Sequence, residues 1–335
     1  MQSKIIGIGS YLPSRKVTNF DLAKFLETSD EWIQKRTGIV ERRWVENQST
    51  TDLALFACED AIKMAGIKKE EIDLIIFATL SPDHEFPGSG CFLQAKLGLS
   101  ELAIPAFDIR QQCSGFIYGL NLADSFIKSG QYKNILLVGA EVHSSGLDQT
   151  NRGRDVTVLF GDGAGAALLT RCEVNDSKKD SHIYSTEIHA DGRFAKELWV
   201  PSPGTAYPIR ITKEHVEEGL VHASMNGKVV FKHAVVKMQE VLISILKKNN
   251  LNIDDIDLFL FHQANLRINE HVANELKIPS NKVFNTIQKY GNTTAGTIPI
   301  GMVDAYKEGK LKKGDLVAVV AFGSGFTWGA SIFRF

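Results

Sequence analysis

One cysteine of the sequence lies where a thiol could act as a nucleophile. The stretch FDIRQQCSGFIYGL places Cys113 after a short apolar run and before a segment whose apolar residues recur at helical spacing. The free amides and the macrodipole of a helix N-terminus favour a thiolate. A buried cysteine that only fills the core is the common alternative. The position alone therefore leaves both roles open for Cys113.

The other three cysteines are weaker candidates for chemistry. Cys58 lies in the middle of a predicted amphipathic helix and Cys172 follows a predicted strand, so we expect both to be structural. Cys91 also lies near a helix start and is the main competitor of Cys113. The sequence has no C-x-x-C pair and no spacing typical of metal ligands, so it predicts free thiols and no metal site.

A catalytic cysteine needs a proton partner, and carbonyl chemistry needs hydrogen-bond donors for the developing charge. FLFHQANLRI places His262 directly after an apolar strand, and YGNTTAGTIP places Asn292 in a loop before a helix. Both could meet Cys113 where strand ends of neighbouring sheets face a crevice. A histidine after a strand is also often structural, and Gly-Asn is common in turns. The remaining histidines form no metal motif, and no dinucleotide or P-loop motif is complete.

The elements that would position these residues occur twice. GIKKEEIDLIIF (66–77) resembles NLNIDDIDLFLF (250–261), and Leu74 and Leu258 are 258 − 74 = 184 residues apart. At the same offset NILLVGA matches AVVAFGS, and a predicted helix over 113–129 matches one over 297–313. We therefore predict an α/β fold of two duplicated halves, 1–175 and 176–335, joined near the polar stretch 173–182.

Length and composition limit the classes of function. The chain has 335 residues, 44% of them hydrophobic and 23% charged, with a formal net charge of −1. No basic run indicates a nucleic-acid surface or a membrane anchor, and no apolar run approaches the roughly 20 residues of a membrane span. The N-terminus is typical of a first strand rather than a signal peptide. We expect a cytoplasmic protein that binds neither nucleic acid nor membrane.

Together and in this order, the motifs resemble β-ketoacyl-acyl carrier protein synthase III of the thiolase superfamily. The resemblance runs nearly from end to end and is carried by KIIGIGSYLPSRKVTN, TSDEWIQKRTGIVERR, FPGSGCFLQAKLG, the Cys113 segment, FGDGAGAALL, FHQANLRI, YGNTTAGTIP and AFGSGFTWGASIFRF. It implies a five-layered αβαβα sandwich, usually a homodimer. It also implies a decarboxylating Claisen condensation that initiates fatty acid synthesis, in which acyl-CoA acylates the cysteine and malonyl-acyl carrier protein supplies the attacking carbon. Acyl-CoA is then a substrate, and no cofactor or metal is required.

The resemblance also assigns roles to residues. Cys113 would carry the acyl group as a thiolate favoured by the helix start and a neighbouring imidazole, His262 and Asn292 would donate hydrogen bonds to the malonyl thioester, and the amides of Cys113 and Ser324 would form the oxyanion hole. The residues implied for CoA are Trp32, Arg36, Arg152, Met225, Gly227, Phe231, Ala264 and Asn265. Those implied for the acidic carrier protein are Lys232 and Arg267, and Phe86 would reach the acyl pocket of the neighbouring subunit.

Departures from the family pattern leave the primer open. Gln111 and Gln112 stand where small residues are usual, Ser324 replaces a glycine, and the segment Val200 to His222 is longer than usual. Two alternatives to the housekeeping enzyme follow. One is a specialised paralogue or acyltransferase of secondary metabolism that moves the acyl group to another acceptor, and the other is a non-catalytic partner subunit. Retention of the three catalytic residue types argues against the second alternative, and a NAD-binding module is more remote still.

Overall fold

The computed structural model describes all residues from Met1 to Phe335. The strands are β1 (Gln2–Tyr11), β2 (Lys16–Thr18), β3 (Glu41–Arg43), β4 (Leu74–Ala78), β5 (Ala106–Ile109), β6 (Asn134–Glu141), β7 (Gly163–Cys172), β8 (Ile183–Ala190), β9 (Leu198–Trp199), β10 (Ser224–Met225), β11 (Leu258–Phe261), β12 (Leu316–Gly323) and β13 (Thr327–Arg334). The α-helices are α1 (Asn19–Leu22), α2 (Asp30–Thr37), α3 (Thr50–Ala65), α4 (Ser89–Lys96), α5 (Gly115–Lys128), α6 (Arg154–Thr157), α7 (Lys213–Glu217), α8 (Gly227–Lys248), α9 (Leu266–Glu275), α10 (Ile287–Tyr290) and α11 (Thr297–Lys307).

Two large sheets and three layers of helices make up the molecule. The first sheet has the strand order β1-β7-β6-β4-β5, and the second has the order β11-β12-β13-β8. Helices α5 and α11 pack between the two sheets. Helices α3 and α4 cover the outer face of the first sheet, and α8 and α9 cover that of the second. This is the five-layered αβαβα sandwich that the sequence predicts.

The strands read as continuous apolar runs because both faces of each sheet are covered. In β4, Leu74 and Ile76 pack into the core around the central helices, whereas Ile75 and Phe77 pack under α3. Successive side chains of a strand point to opposite faces, so LIIFA supplies two different cores at once. The same alternation in β12 serves the central layer and the layer under α8.

The duplication is visible in the strand pairing. Strand β6 is parallel to β4 and antiparallel to β7, which is antiparallel to β1, and β12 has the same relations to β11, β13 and β8. The 184-residue offset holds for β4 and β11, but the central helices begin at Gly115 and Thr297, 297 − 115 = 182 residues apart. The predicted single register is therefore wrong by two residues beyond the first strand, and α11 ends at Lys307 instead of residue 313. The longer connection of the first half includes β5, which pairs parallel with β4, whereas the second half has only an isolated parallel bridge between Phe259 of β11 and Val283.

The polar stretch 173–182 connects the end of β7 in the first sheet to the start of β8 in the second. The boundary between residues 175 and 176 stays a prediction. No helix combines the length and the apolar character that crossing a membrane would require.

Candidate active site

Cys113 lies in a 3₁₀ turn, Gln112–Ser114, between β5 and α5, which is the predicted position at a helix start. Gln112 has a φ of +44°, a left-handed conformation that residues with a Cβ rarely adopt. Such a residue costs about 1–3 kcal/mol and persists only where the surroundings hold it. The Ser114 hydroxyl helps to hold the turn by donating to the Gln111 carbonyl at 2.9 Å. The turn leaves Cys113 only 7% exposed.

Asn292 belongs to the second half of the chain, but its backbone is hydrogen-bonded to the first half. Its N–H donates to the Leu159 carbonyl at 2.8 Å, and its carbonyl accepts from the Gly161 N–H at 3.1 Å. Its side-chain oxygen Oδ1 accepts from the Thr294 N–H at 2.8 Å. Because Oδ1 is occupied, Nδ2 is the free end of the amide, and the side chain stabilises the thiolate form of Cys113. Asn292 is thus oriented as a hydrogen-bond donor.

His262 follows β11 directly, and its tautomer is set by its neighbours. Thr297 donates its only hydroxyl proton to the Thr294 carbonyl at 3.0 Å. Nδ1 of His262 lies 2.7 Å from the same hydroxyl oxygen and must therefore be the donor. Nε2 then carries the lone pair, and it is buried without a hydrogen-bond partner. The free imidazole is placed as a base.

The charge states differ from those that the sequence predicts. Burial raises the pKa of the Cys113 thiol to about 12, and the carboxylate of Glu141 adds to this shift. Hydrogen bonds from the backbone amides of Ser324 and Cys113 and from the Asn292 side chain oppose it. Burial also lowers the pKa of His262 to about 3. The expected thiolate is thus disfavoured in the free chain, because the cost of burying its charge exceeds the stabilisation from the helix start and the neighbouring imidazole.

Gly323 and Ser324, at and just after the end of β12, lie next to Cys113. The Ser324 amide and the Cys113 amide both point at the sulfur, as their effect on its pKa indicates. At Gly323 a Cβ would lie 2.5 Å from the Cys113 Cβ, so only glycine fits. Sequence reasoning missed Gly323, because the need for a glycine appears only once the two chain segments meet.

Cys113, His262 and Asn292 meet in one cavity of about 760 Å³. The structure brings most of the residues implied for CoA and one of those implied for the carrier protein to the same cavity: Trp32, Arg36, Met225, Gly227, Phe231, Ala264, Asn265 and Arg267. The three catalytic candidates lie at its buried end, whereas Arg36 and Arg267 are exposed. The cavity therefore connects the surface with the sulfur.

Arg152 is not brought to this cavity. Its Nε binds Asp148 at 2.7 Å, and its guanidinium donates to the Glu217 carbonyl at 2.9 Å. Arg154 instead lies 4.8 Å from the centre of the Trp32 ring, and Arg36 lies 4.2 Å from it. Nothing in the stretch TNRGRD distinguishes its two arginines. In the free chain Arg154 lies against this ring and Arg152 does not, and the predicted role of Arg152 near the nucleotide stays a prediction.

Lys232 and Phe86 do not line this cavity. Lys232 is exposed on α8 next to Phe231, and the Arg267 guanidinium lies 5.8 Å from the Phe231 ring centre. Arg267 therefore lies at the mouth of the cavity beside Phe231, whereas Lys232 does not line it. Phe86 is 82% exposed in the single chain. No group of three or more His, Cys, Asp or Glu side chains is placed to hold a metal ion.

A second cavity, of about 530 Å³, reaches Cys113 from the other side. Val200 and Val221, near the two ends of the long segment, line it together with Gln112 and His143. Gln111 does not line it. The segment is tied to the chain before α4 by an ion pair between Arg210 and Glu85. Cys113 thus lies between a cavity that opens past Trp32 and one whose wall includes the long segment.

A buried cysteine at a helix start that faces a histidine and an asparagine, between the two halves of a duplicated αβαβα sandwich, is the arrangement of a condensing enzyme of the thiolase type. Two family models match the chain: 3-oxoacyl-[acyl-carrier-protein (ACP)] synthase III over residues 107–192, and the C-terminal part of the same family over residues 246–335.

Full-length relatives agree with the family models. Beta-ketoacyl-[acyl-carrier-protein] synthase III of Ehrlichia canis is 47% identical over 334 residues, covering 99% of each chain. The protein of that name from Aquifex aeolicus is 44% identical over the whole of both chains. The crystal structure of 3-oxoacyl-[acyl-carrier-protein] synthase III from Aquifex aeolicus superimposes with a TM-score of 0.89, covering 99% of this chain and 100% of that one.

The chain belongs to the β-ketoacyl-acyl carrier protein synthase III family. It is a condensing acyltransferase with the thiolase-like fold. The full-length matches support the initiating condensation of fatty acid synthesis as its function, and they do not favour the specialised acyltransferase.

Proposed function

We propose that the chain condenses an acyl-CoA primer with malonyl-acyl carrier protein through an acyl group carried on Cys113. The position of this sulfur between two cavities carries the proposal. The larger cavity has an aromatic and cationic mouth suited to CoA, and the smaller one is suited to the acyl chain. Both half-reactions then take place at the same sulfur.

In the first half-reaction Nε2 of His262 takes the thiol proton of Cys113. The sulfur attacks the acyl-CoA carbonyl, and the oxyanion accepts hydrogen bonds from the Cys113 and Ser324 amides. CoA leaves as a thiolate and is protonated from solvent. The proton therefore stays on His262, which becomes an imidazolium. This path suits a free chain in which burial disfavours the thiolate and Nε2 is an unpartnered acceptor.

In the second half-reaction the imidazolium of His262 and the amide of Asn292 donate to the malonyl thioester carbonyl. The two bonds strengthen as loss of CO₂ turns this carbonyl into an enolate, so they act mainly on the transition state. The enolate carbon attacks the acyl group on Cys113 and expels the thiolate, which takes back the proton from His262. Atoms and charge balance without a cofactor.

Residues around the larger cavity have matching roles in this proposal. Trp32 stacks on the adenine, and Arg36 and Arg154 pair with the nucleotide phosphates, Arg154 taking the part first given to Arg152. The pantetheine arm passes the residues Met225, Gly227, Phe231, Ala264 and Asn265. Lys232 and Arg267 attract the acidic carrier protein, which is consistent with the exposure of both side chains.

A homodimer in the cytoplasm completes the proposal. Strand β5 lies at the edge of its sheet, and its outer side pairs with no other strand. An unpaired edge is a site where a second chain can add. In such a pair the exposed Phe86 would enter the acyl cavity of the partner. All four cysteines are free thiols, which suits a reducing compartment.

The acyl-enzyme is tested by intact-mass spectrometry after incubation with a panel of acyl-CoAs. A short acyl-CoA should add one acyl mass, and Cys113→Ser should remove most of the adduct. Cys91 is exposed and is the internal competitor. An adduct that persists on Cys91 in the variant would refute the assignment.

The roles of the two donors are tested by separating the half-reactions. Asn292→Ala should slow decarboxylation of malonyl-acyl carrier protein by roughly 10²- to 10³-fold, since that is the usual cost of losing such a donor. Acylation of Cys113 should fall much less in this variant. His262→Ala should impair both steps, because the imidazole takes the thiol proton and then donates. Normal acylation in His262→Ala would contradict the proton path.

A further inference from the structure

The peptide units around Thr294 connect the two hydrogen-bond donors of the site. The N–H of Thr294 donates to Oδ1 of Asn292 at 2.8 Å. Its carbonyl accepts from the Thr297 hydroxyl at 3.0 Å, and that hydroxyl accepts from Nδ1 of His262 at 2.7 Å. The orientation of this one residue therefore sets the amide of Asn292 and the ring of His262 together.

Thr294 holds this position in an unfavourable backbone conformation. Its φ is +51°, and a left-handed conformation is a genuine outlier for a β-branched residue. Residues of this kind persist only where the surrounding structure fixes them, and they occur preferentially at functional sites. Thr294 is completely buried. A contact of its side chain must therefore help to hold the conformation.

The contact comes from the first half of the chain. The Thr294 hydroxyl lies 2.5 Å from Nε2 of His143. The N–H of His143 donates to Oδ1 of Asp162 at 2.7 Å, and its ring packs 4.6 Å from the Phe160 ring. His143 is therefore anchored through its backbone and its ring. It also lines the smaller cavity, beside Gln112.

We propose that His143 and Thr294 form a positioning pair that aligns Asn292 and His262 for the decarboxylating step. The inference rests on the proposed function of those two donors. It assigns His143 a positioning role in addition to its place in the wall of the smaller cavity. Neither member touches the reacting thioester. The pair lies between the smaller cavity and the donors, so the wall that receives the primer also sets the decarboxylation geometry.

The test compares Thr294→Val, which removes the hydroxyl but keeps the shape, with Thr294→Ser, which keeps the hydroxyl. A displacement of about 1 Å in a site can cost about 10²-fold, so we expect Thr294→Val to lower the kcat for condensation by at least about tenfold. KM for malonyl-acyl carrier protein should stay within about threefold of wild type. Acylation of Cys113 uses only His262 of the two donors and should fall less than condensation, and Thr294→Ser should recover most of the loss. The matched control is Thr293→Val, an equally buried neighbour outside these hydrogen bonds.

A double-mutant cycle tests the partner. His143→Phe should cause a loss similar to that of Thr294→Val, and the double variant should lose little more than either single one, because residues that act as one unit are not additive. Additive losses, or condensation by Thr294→Val within about twofold of wild type, would overturn the proposal. An equal fall in acylation and condensation would also overturn it, since that indicates a general disturbance.

A crystal structure of Thr294→Val separates this inference from the proposed function. Productive geometry needs side chains within about 0.5 Å, so Asn292 or His262 should be displaced by more than that in the variant. Unchanged positions would overturn the positioning pair even if the wild-type chain condensed no primer. An inactive wild type with displaced side chains in the variant would instead refute the proposed function alone.

Discussion

Replacing Gly323 by alanine should disable Cys113 without changing any catalytic side chain. The added Cβ would lie 2.5 Å from the Cys113 Cβ and 3.2 Å from both its N and its Sγ. Carbon atoms in contact are about 3.5–4.0 Å apart, so the nucleophile or the end of β12 must move by about 1 Å. A displacement of that size can lower a rate by about 10²-fold, which corresponds to about 2.7 kcal/mol of activation free energy. We expect this loss in the acylation of Cys113.

The assay is a time course of acyl-CoA labelling followed by intact-mass spectrometry, with circular dichroism to establish that the variant is folded. Gly192→Ala is the matched control, because no atom lies within 4 Å of its added Cβ. It should acylate at the wild-type rate. A folded Gly323→Ala variant that acylates within about threefold of wild type would show that the sulfur does not need this close approach, and the reasoning would be refuted.

Three further predictions concern charge, CoA and the primer. Burial raises the pKa of Cys113 to about 12, so the rate at which iodoacetamide alkylates it in the free chain should keep rising with pH well above pH 9. A rate that reaches a plateau by pH 9 would contradict the buried thiol. Arg154→Ala should raise the KM for acyl-CoA about tenfold, because it removes a cation beside Trp32, whereas Arg152→Ala should change this KM little. A larger increase in Arg152→Ala than in Arg154→Ala would show that Arg152 is the arginine that binds CoA. Shortening the segment Val200 to His222 should change the relative kcat/KM among acyl-CoAs, because Val200 and Val221 line the smaller cavity. The expected change is at least about tenfold, or about 1.4 kcal/mol. An unchanged ranking of acyl-CoAs in a folded variant would show that the segment does not influence primer choice.

The layers of the fold could be predicted because burial on both faces leaves a strong mark on the sequence. The apolar ends of the two repeated motifs, GIKKEEIDLIIF and NLNIDDIDLFLF, lie in β4 and β11. The register between the halves could not be read beyond these strands, because a shift of two residues leaves every strand side chain on the same face. The early end of α11 had a signal that was missed: Gly309, just past the end, has a φ of +69° and terminates the helix.

The meeting of Cys113, His262 and Asn292 could be predicted from their positions in the sequence, whereas the protonation of Cys113 and His262 could not. A cysteine at a helix start and a histidine after a strand are patterns in the sequence, but the pKa of each depends on how deeply both halves bury it. The tautomer of His262 depends on a hydroxyl 35 residues away, that of Thr297. Sequence spacing contains no such information, and it also gave no reason to prefer Arg154 over Arg152.

The duplication explains how the two halves supply different functional groups to the site. Gln112 and Thr294 are 182 residues apart, as are the central helices that follow them, and both have a left-handed φ, of +44° and +51°. In the first half this turn places the sulfur of Cys113 between the two cavities. In the second half Ala295 takes the place of the cysteine, and the turn uses its own N–H and carbonyl to fix Asn292 and, through Thr297, His262. Neither half has both a nucleophile and donors, so the reaction is confined to the buried junction, where hydrogen bonds to a developing charge are stronger than in water.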